Sequence, residues 1–241
     1  MSIKDGIILA GGTGSRLLPL TNIMNKHLVP LGDKFIIDYP LSTLKNIGIE
    51  NLTVVLGGAH FSQVVDHLKD GDHLGMNINY VYQDKPSGIA QAVNLCERFI
   101  PKNNNVRTPF VVLLGDNVFT SKVDFSSKYQ ANKAQIVLYK HKELNRFGVA
   151  SICNEKITHL EEKPKVLDSK LDHYAITGCY MFDDRFFTFF KNTVPSARGE
   201  YEITDIIQQY HDQDSLDYTI YSGMWSDAGT HSSLKTLSSL I

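Results

Sequence analysis

The sequence predicts an α/β fold: a mostly parallel mixed sheet with helices on both faces, extended by a β-rich second half. Three observations carry that prediction. Short, largely apolar runs recur at Ile7 to Ala10, Leu52 to Leu56 and Phe110 to Leu114, as in strands covered on both faces. Segments with helical spacing separate them. From about residue 134 onward, short strand-like runs outnumber helices.

Taken in order, Ile7 to Ala10 reads as the first strand and runs into a Gly-rich loop at Gly11. In Tyr39 to Gly48, Leu41, Leu44 and Ile47 share one helical face and Gly48 supplies the stop. Leu52 to Leu56 is a strand, Phe61 to Leu68 a helix, Ile78 to Tyr82 a strand, and about Ile89 to Phe99 a helix. Phe110 to Leu114 is a wholly apolar strand that ends at Gly115-Asp116-Asn117. Beyond it, Ala134 to Tyr139, Gly148 to Cys153, Ile157 to Glu161 and Tyr174 to Phe182 read as strands. Helices return at Asp183 to Asn192, Ile203 to Gln213 and His231 to Leu240. No Pro- or Ser-rich linker, internal repeat or low-complexity tract divides the chain, so a single domain over residues 1–241 is expected.

Composition narrows the functional classes. The 241 residues are 42% hydrophobic and 21% charged, an ordinary globular balance. Lys+Arg 24 against Asp+Glu 26 leaves a net charge of -2, which gives no electrostatic reason to expect a nucleic acid or an anionic membrane as partner. The first apolar run is too short for a signal peptide or a membrane span, so a cytoplasmic protein is expected. Cys96, Cys153 and Cys179 lie far apart without Cys-x-x-Cys spacing. They suggest neither a disulfide framework nor a zinc site, and each is expected to be a buried small hydrophobe.

In a parallel sheet ligands collect at the carboxyl ends of the strands, here the loop after Ala10 and the loop after Leu114. The first of these, Leu9-Ala10-Gly11-Gly12-Thr13-Gly14-Ser15-Arg16-Leu17, lets backbone N–H groups approach phosphate oxygens. It is not a dinucleotide fingerprint, because Leu17 stands at the third glycine position, nor a P-loop, because no Gly-Lys-Ser/Thr follows. A nicotinamide-dependent dehydrogenase also needs an acidic residue after the second strand, where Gly57-Gly58 stands.

The longer stretch is more specific. Gly11-Gly12-Thr13-Gly14-Ser15-Arg16-Leu17-Leu18-Pro19-Leu20-Thr21, followed by Asn25-Lys26-His27-Leu28-Val29-Pro30, resembles the signature of the sugar-1-phosphate nucleotidylyltransferases. Further blocks resemble that family in order: Gln83 with Gly88-Ile89-Ala90-Gln91-Ala92, Leu114-Gly115-Asp116-Asn117, Arg146-Phe147-Gly148-Val149, and Glu161-Glu162-Lys163-Pro164. Ala175-Ile176-Thr177-Gly178, Ala197-Arg198-Gly199-Glu200 with Glu202-Ile203-Thr204-Asp205, and Trp225 to His231 continue it. The resemblance covers nearly the whole chain and is strongest to the thymidylyl branch. It implies a Rossmann-like nucleotidyltransferase fold with a sugar-binding extension: residues about 1–133 would hold the nucleotide and about 134–241 the sugar phosphate.

The implied reaction joins a sugar-1-phosphate oxygen to the α-phosphorus of a nucleoside triphosphate and releases pyrophosphate. It needs no protein nucleophile, only charge neutralisation and in-line placement of two anions. The resemblance implies dTTP and glucose 1-phosphate as substrates, dTDP-glucose for deoxysugar and surface-polysaccharide synthesis as product use, and Mg²⁺ as cofactor. It places Arg16 and Lys26 at the triphosphate, with Asp116 and Asp227 as the metal pair. Leu9, Gly11, Gly12, Thr13, Gly14, Gln83 and Gly88 would line the nucleotide, Gln83 reading the base through its amide. Gly148, Glu162, Lys163, Thr177, Gly178, Tyr180 and Arg198 would line the sugar phosphate. The plain alternatives are an Asx turn for Asp116, a helix N-cap for Asp227 and a solvated face for Glu161-Glu162-Lys163.

Three positions depart from the family pattern. Leu18 and Phe147 stand where relatives commonly carry Tyr, and His27 where many carry Gln, so side-chain contacts made there differ. The chain resembles the short form of the family, without the C-terminal helices on which an allosteric nucleotide site would be built, and relatives are commonly homo-oligomers. UTP or another hexose 1-phosphate as substrate, or a catalytically silent nucleotide-binding module, are the rival readings. The silent module is disfavoured because Arg16, Lys26, Asp116 and Asp227 are all present.

Overall fold

The computed structural model describes residues 3–104, 106–125 and 132–240. Strand β1 (Asp5–Ala10) sits inside a nine-stranded sheet and pairs in parallel with β2 (Asn51–Leu56), which pairs in parallel with β3 (Asn77–Tyr82). On its other side β1 pairs in parallel with β4 (Phe110–Leu114). The crossovers carry α1 (Asp38–Ile47), α2 (Phe61–Leu68) and α3 (Ile89–Asn94). Short β5 (Asn117–Phe119) follows β4 outside the main sheet.

The second half adds β6 (Ala134–Tyr139), β7 (Gly148–Cys153), β8 (Lys156–Glu162) and the long β9 (Asp172–Phe182). Then come α4 (Arg185–Lys191), α5 (Ile203–Asp212), β10 (Leu216–Ile220), β11 (Trp225–Asp227) and α6 (His231–Ser238). Strand β9 is antiparallel to β4, β6 and β7, so the sheet is mixed as expected. Its register places β7 against residues 172–175 and β4 against residues 179–182. Residues 176–178 lie between those two pairings, and the sheet forks there, where the end of β4 parts from the start of β7.

Alternation along the apolar strands divides the core between two faces. Ile7, Val55, Phe110 and Val112 pack with residues of α3, α4 and α5, whereas Ile8, Val54, Val111 and Leu113 pack with residues of α1 and α2. Fully buried Phe110 stacks on Phe187 at 5.5 Å between ring centres and meets Phe186 edge-on at 6.1 Å. Such pairs add about 0.5–1.5 kcal/mol each beyond burial. A third cluster of Leu17, Val118, Ala228, Leu234 and Leu237 ties the segment after β1 to β5, β11 and α6.

Two expectations are corrected. The single helix from Ile89 to Phe99 stops at Asn94, and Glu97–Phe99 forms a separate 3₁₀ turn. The Cys96 amide there bonds back three residues to Val93 at 2.9 Å, a tighter winding that seats the Cys96 side chain in the core. Cys153 is exposed, while Cys96 and Cys179 are buried. It closes β7 beside the Asn154-Glu155 turn, beyond the packed face. Among the described residues no helix is long and apolar enough to cross a membrane.

Candidate active site

Two clefts open along the carboxyl ends of β1 and β4 and meet at Asp116, which lines both. The smaller, of about 230 Å³, is lined by Leu9, Gly11 and Gly12 from the first loop, by Lys26, and by Gln83 and Gly88. The larger, of about 460 Å³, occupies the fork of the sheet. Arg16, Arg146, Gly148, Glu162, Lys163, Gly178, Tyr180 and Asp227 lie on its wall.

Local chemistry places each group. Gly14 caps the 3₁₀ turn Ser15–Leu17, which buries Leu17 and leaves Arg16 exposed at the cleft. Lys26 begins another 3₁₀ turn, where the Asn25 side chain accepts from the His27 amide at 3.0 Å. From there the Lys26 ammonium donates to Asp116 Oδ2 at 2.7 Å. Gln83 is buried and its amide nitrogen donates to Gln91 Oε1 at 2.6 Å. Gly88 has φ +102°, and a Cβ there would stand 2.5 Å from the Tyr201 carbonyl oxygen, so only glycine fits.

Asp116 is buried. Burial pushes its carboxyl pKa up, but Lys26, His27 and hydrogen bonds from Lys26 and Asn117 outweigh that and hold it well below the usual carboxylate range. Asn117 Oδ1 accepts from the Gly178 amide at 2.9 Å and from the Trp225 indole at 2.7 Å, so Asn117 joins Asp116 to both sides of the fork. The β5–β11 pairing sets Asp227 opposite Asn117. A Cβ on Gly229 would stand 2.9 Å from Arg16 Nη2 and 3.2 Å from Asp227 Oδ2, which locates both groups at one spot. Burial raises the Asp227 pKa, and Asp116 raises it further, against the opposing pull of Arg146.

On the far wall, Glu162 Oε2 accepts from Thr204 Oγ1 at 2.6 Å, and Oε1 lies 3.2 Å from Arg198 and 3.6 Å from Lys163. Lys163 has φ +48° and its amide donates to the Phe147 carbonyl at 3.0 Å. Tyr180 is buried, and burial raises its hydroxyl pKa so that it is a neutral hydrogen-bonding group.

Not every expected residue reaches a cleft. Thr177 is fully buried and its hydroxyl donates to the Val137 carbonyl at 2.8 Å, away from the fork. Arg198 is held by Glu202 at 2.7 Å, with Glu162 at 3.2 Å and Glu200 at 3.6 Å. Thr13 and Gly14 lie in the loop beside the clefts and do not line them. Asp227 is not the cap of the last helix. Thr230 is, through a reciprocal pair of bonds with Ser233.

Sequence reasoning gave no role to Asn117, Thr204, Glu202, Trp225 or Arg146. The ion pair of Arg198 and Glu202 spans the turn before α5, within the same sequence block. Nothing local links Arg146 to Asp227, 81 positions away, yet Arg146 Nη2 lies 2.9 Å and 3.0 Å from its two oxygens.

Comparison with known proteins agrees with this geometry. Residues 5–241 match the nucleotidyl transferase family. The chain belongs to that family. It is 38% identical over 243 residues to a glucose-1-phosphate thymidylyltransferase of Neisseria meningitidis, covering 98% of this chain and 82% of the relative. A glucose-1-phosphate thymidylyltransferase of Mycobacterium tuberculosis is 37% identical over 239 residues, covering 95% of this chain and 79% of the relative. A Bacillus anthracis crystal structure assigned as a glucose-1-phosphate thymidylyltransferase, in complex with sucrose, is 42% identical with a TM-score of 0.90. That match covers 98% of this chain and 94% of the other. The nucleotidyl transferase shares its fold, at a TM-score of 0.84 and 24% identity, with a UDP-glucose pyrophosphorylase solved with UDP-glucose, over 99% of this chain and 98% of the other.

As a nucleotidyl transferase, the chain presents a glycine-lined cleft and a carboxylate- and hydroxyl-lined cleft that share one acidic edge. Cations stand at that edge from both sides. Such a layout brings two anionic substrates together without a protein nucleophile.

Proposed function

We propose that this nucleotidyl transferase moves a thymidylyl group from dTTP to α-D-glucose 1-phosphate, giving dTDP-glucose and pyrophosphate for deoxysugar and surface-polysaccharide synthesis. The observation that carries the reading is the meeting of the two clefts at Asp116. The named relatives support the choice of base and sugar.

In this reading the backbone of Gly11 and Gly12 cradles the triphosphate, and buried Gln83 pairs with the base above Gly88. Arg16 and Lys26 neutralise the phosphates. Glu162, Tyr180 and the backbone of Gly148 and Gly178 bind the sugar hydroxyls, and Lys163 faces its phosphate. Arg198 acts through Glu162 and Glu202 and not as a free phosphate ligand, because those carboxylates already hold it.

Asp116 and Asp227 suit a divalent cation. They are two largely buried carboxylates from the β4 end and β11, on one cleft wall. Among the described residues no group of three or more ligating side chains exists, so phosphate oxygens and waters would complete the shell, as Mg²⁺ prefers. When bound there, Mg²⁺ neutralises charge on the α-phosphate and leaving group. The chain's residues do the rest. The two clefts hold the sugar-phosphate oxygen in line with the α-phosphorus, the new P–O bond forms as the α–β bridging bond breaks, and the electron pair leaves on pyrophosphate.

Pyrophosphate release with Mg²⁺, over a grid of dTTP, UTP, CTP, ATP and GTP against glucose-, galactose-, mannose- and N-acetylglucosamine-1-phosphate, tests the assignment. The expected result is a peak at dTTP with glucose 1-phosphate. Partial UTP use is also expected, because one methyl contact is worth only about 1–3 kcal/mol. A peak elsewhere moves the substrates, and silence in a folded, nucleotide-binding protein overturns the reading.

A further inference from the structure

We propose that Arg146 exchanges with a divalent cation at Asp227, so that cation binding frees its guanidinium to bind the sugar phosphate directly. The inference rests on the placement of the cation at Asp116 and Asp227 argued above.

Arg146 ends the 3₁₀ turn Leu144–Arg146, just before β7 enters the fork. Its Nη2 donates to both oxygens of Asp227, at 2.9 Å and 3.0 Å, and its Nη1 donates to Glu143 Oε2 at 2.7 Å. The guanidinium lies 5.1 Å from the centre of the Phe147 ring. Asp227 is largely buried, whereas Glu143 is exposed. One nitrogen therefore covers both oxygens that a cation would use, while the other anchors the guanidinium at the cleft lip through a carboxylate in solvent.

The charge count supports an exchange. Asp116 and Asp227 face the same cleft, and each is ion-paired to one cation, Lys26 at 2.7 Å and Arg146 at 2.9 Å, with the Arg16 guanidinium a further positive neighbour of Asp227 beside Gly229. One divalent cation on the two carboxylates replaces the positive charge of both partners. Lys26 and Arg146 are then released beside the phosphates, where two further positive charges are needed. Arg146 lines the same cleft as Lys163, so its freed end needs no movement of the sheet to reach the sugar phosphate. Linkage makes the effect reciprocal: a cation that frees Arg146 tightens the sugar phosphate, and the sugar phosphate tightens the cation.

Binding of Mn²⁺, followed by the loss of the free-ion electron paramagnetic resonance signal without nucleotide, tests this directly. Arg146→Gln is expected to bind Mn²⁺ about tenfold more tightly than wild type, the size of a one-unit competition with a close opposite charge. Arg146→Lys keeps the charge but has one nitrogen in place of two and cannot hold Asp227 and Glu143 together, so it is expected to bind more tightly by about threefold. Lys163→Gln removes one charge from the same cleft without touching Asp227 and should change little. Glucose 1-phosphate binding measured by calorimetry should tighten with Mn²⁺ in wild type and lose most of that gain in Arg146→Gln. Equal tightening in Lys163→Gln and Arg146→Gln would reduce the effect to general charge and overturn the exchange, as would unchanged Mn²⁺ affinity in both Arg146 variants. Asp227→Asn separates the two levels. If it binds Mn²⁺ as wild type does, the cation placement fails. If it loses Mn²⁺ while the Arg146 variants match wild type, only the exchange fails.

Discussion

The Lys26 ammonium donates to Asp116 Oδ2 at 2.7 Å, joining the first loop of the chain to the end of β4 across 90 positions. Both side chains are largely buried, so each is the other's counter-ion. Asp116→Asn keeps the shape and an acceptor but removes the negative charge. Turnover is expected to fall about a hundredfold or more, as when a group aimed at transition-state charge is lost. Stability should fall by roughly 1–3 kcal/mol, because Lys26 stays in place without its counter-ion. Initial rates and urea unfolding on the same preparation check both, and a variant with full activity would remove Asp116 from the chemistry.

His27 lies directly behind that pair and gives the protein a pH signature. It is fully buried, and burial together with Lys26 pushes its imidazole pKa down to about 3, against a weaker upward pull from Asp116. Nδ1 bonds to Asn25 Oδ1 at 2.8 Å, and Nε2 is buried without a partner beneath Gly115. A depressed folded-state pKa means that the unfolded chain takes up the proton first, so stability is lost as pH falls from about 6.5 toward 3. At pH 5 the loss from this residue alone is about 2 kcal/mol relative to pH 7.5. His27→Gln carries no titrating group, and its unfolding free energy should show a slope shallower by that amount. Parallel slopes in the two proteins would mean that the imidazole is not held neutral.

What the sequence could announce depended on how local each cause was. Strands β1, β2 and β4 are mostly apolar because both of their faces are covered, and the helix from Phe61 to Leu68 has the bounds its periodicity predicts. Strand β11 has only three residues, two of them polar, and exists because Trp225 buries against Asn117 from a distant part of the chain. Its pairing with β5 is what carries Asp227 to Asp116, and no periodicity encodes that. The same holds for the fork, since it arises from two strands sharing one edge of β9 at different registers. The glycines and charged residues of the site were legible as a motif. The pairing of Asp227 with Arg146 was not, because Arg146 comes from another element 81 positions away.

Glu162 shows how such a partner shapes recognition. Its Oε2 accepts from Thr204 Oγ1 at 2.6 Å, and Thr204 is buried on α5 in the wall of the larger cleft. Thr204→Val conserves volume and removes the hydroxyl, leaving Glu162 to Arg198 and Lys163. A hydrogen bond to a charged group is worth about 1.5–3 kcal/mol, so KM for glucose 1-phosphate should rise about tenfold. KM for dTTP should stay within about twofold, since Thr204 lines only the larger cleft. An equal rise for both substrates in steady-state kinetics would place Glu162 outside sugar recognition.

Gln83 makes the opposite separation. It is buried in the smaller cleft, and its amide nitrogen is committed to Gln91 Oε1 at 2.6 Å, which fixes which end of the amide faces inward. A base that pairs with Gln83 therefore meets its oxygen as acceptor and the second hydrogen of its amide nitrogen as donor, in an orientation that Gln91 sets. Gln83→Ala should raise KM for dTTP at least about tenfold while leaving KM for glucose 1-phosphate nearly unchanged. Gln91→Ala frees the Gln83 amide to turn, and is expected to relax discrimination among pyrimidine triphosphates more than it weakens dTTP itself. Competition between dTTP, UTP and CTP in single reactions reads that ratio. If Gln91→Ala leaves the ratio as in wild type, the fixed amide does not set base choice, and the backbone around Gly88 becomes the part of the cleft that reads the base.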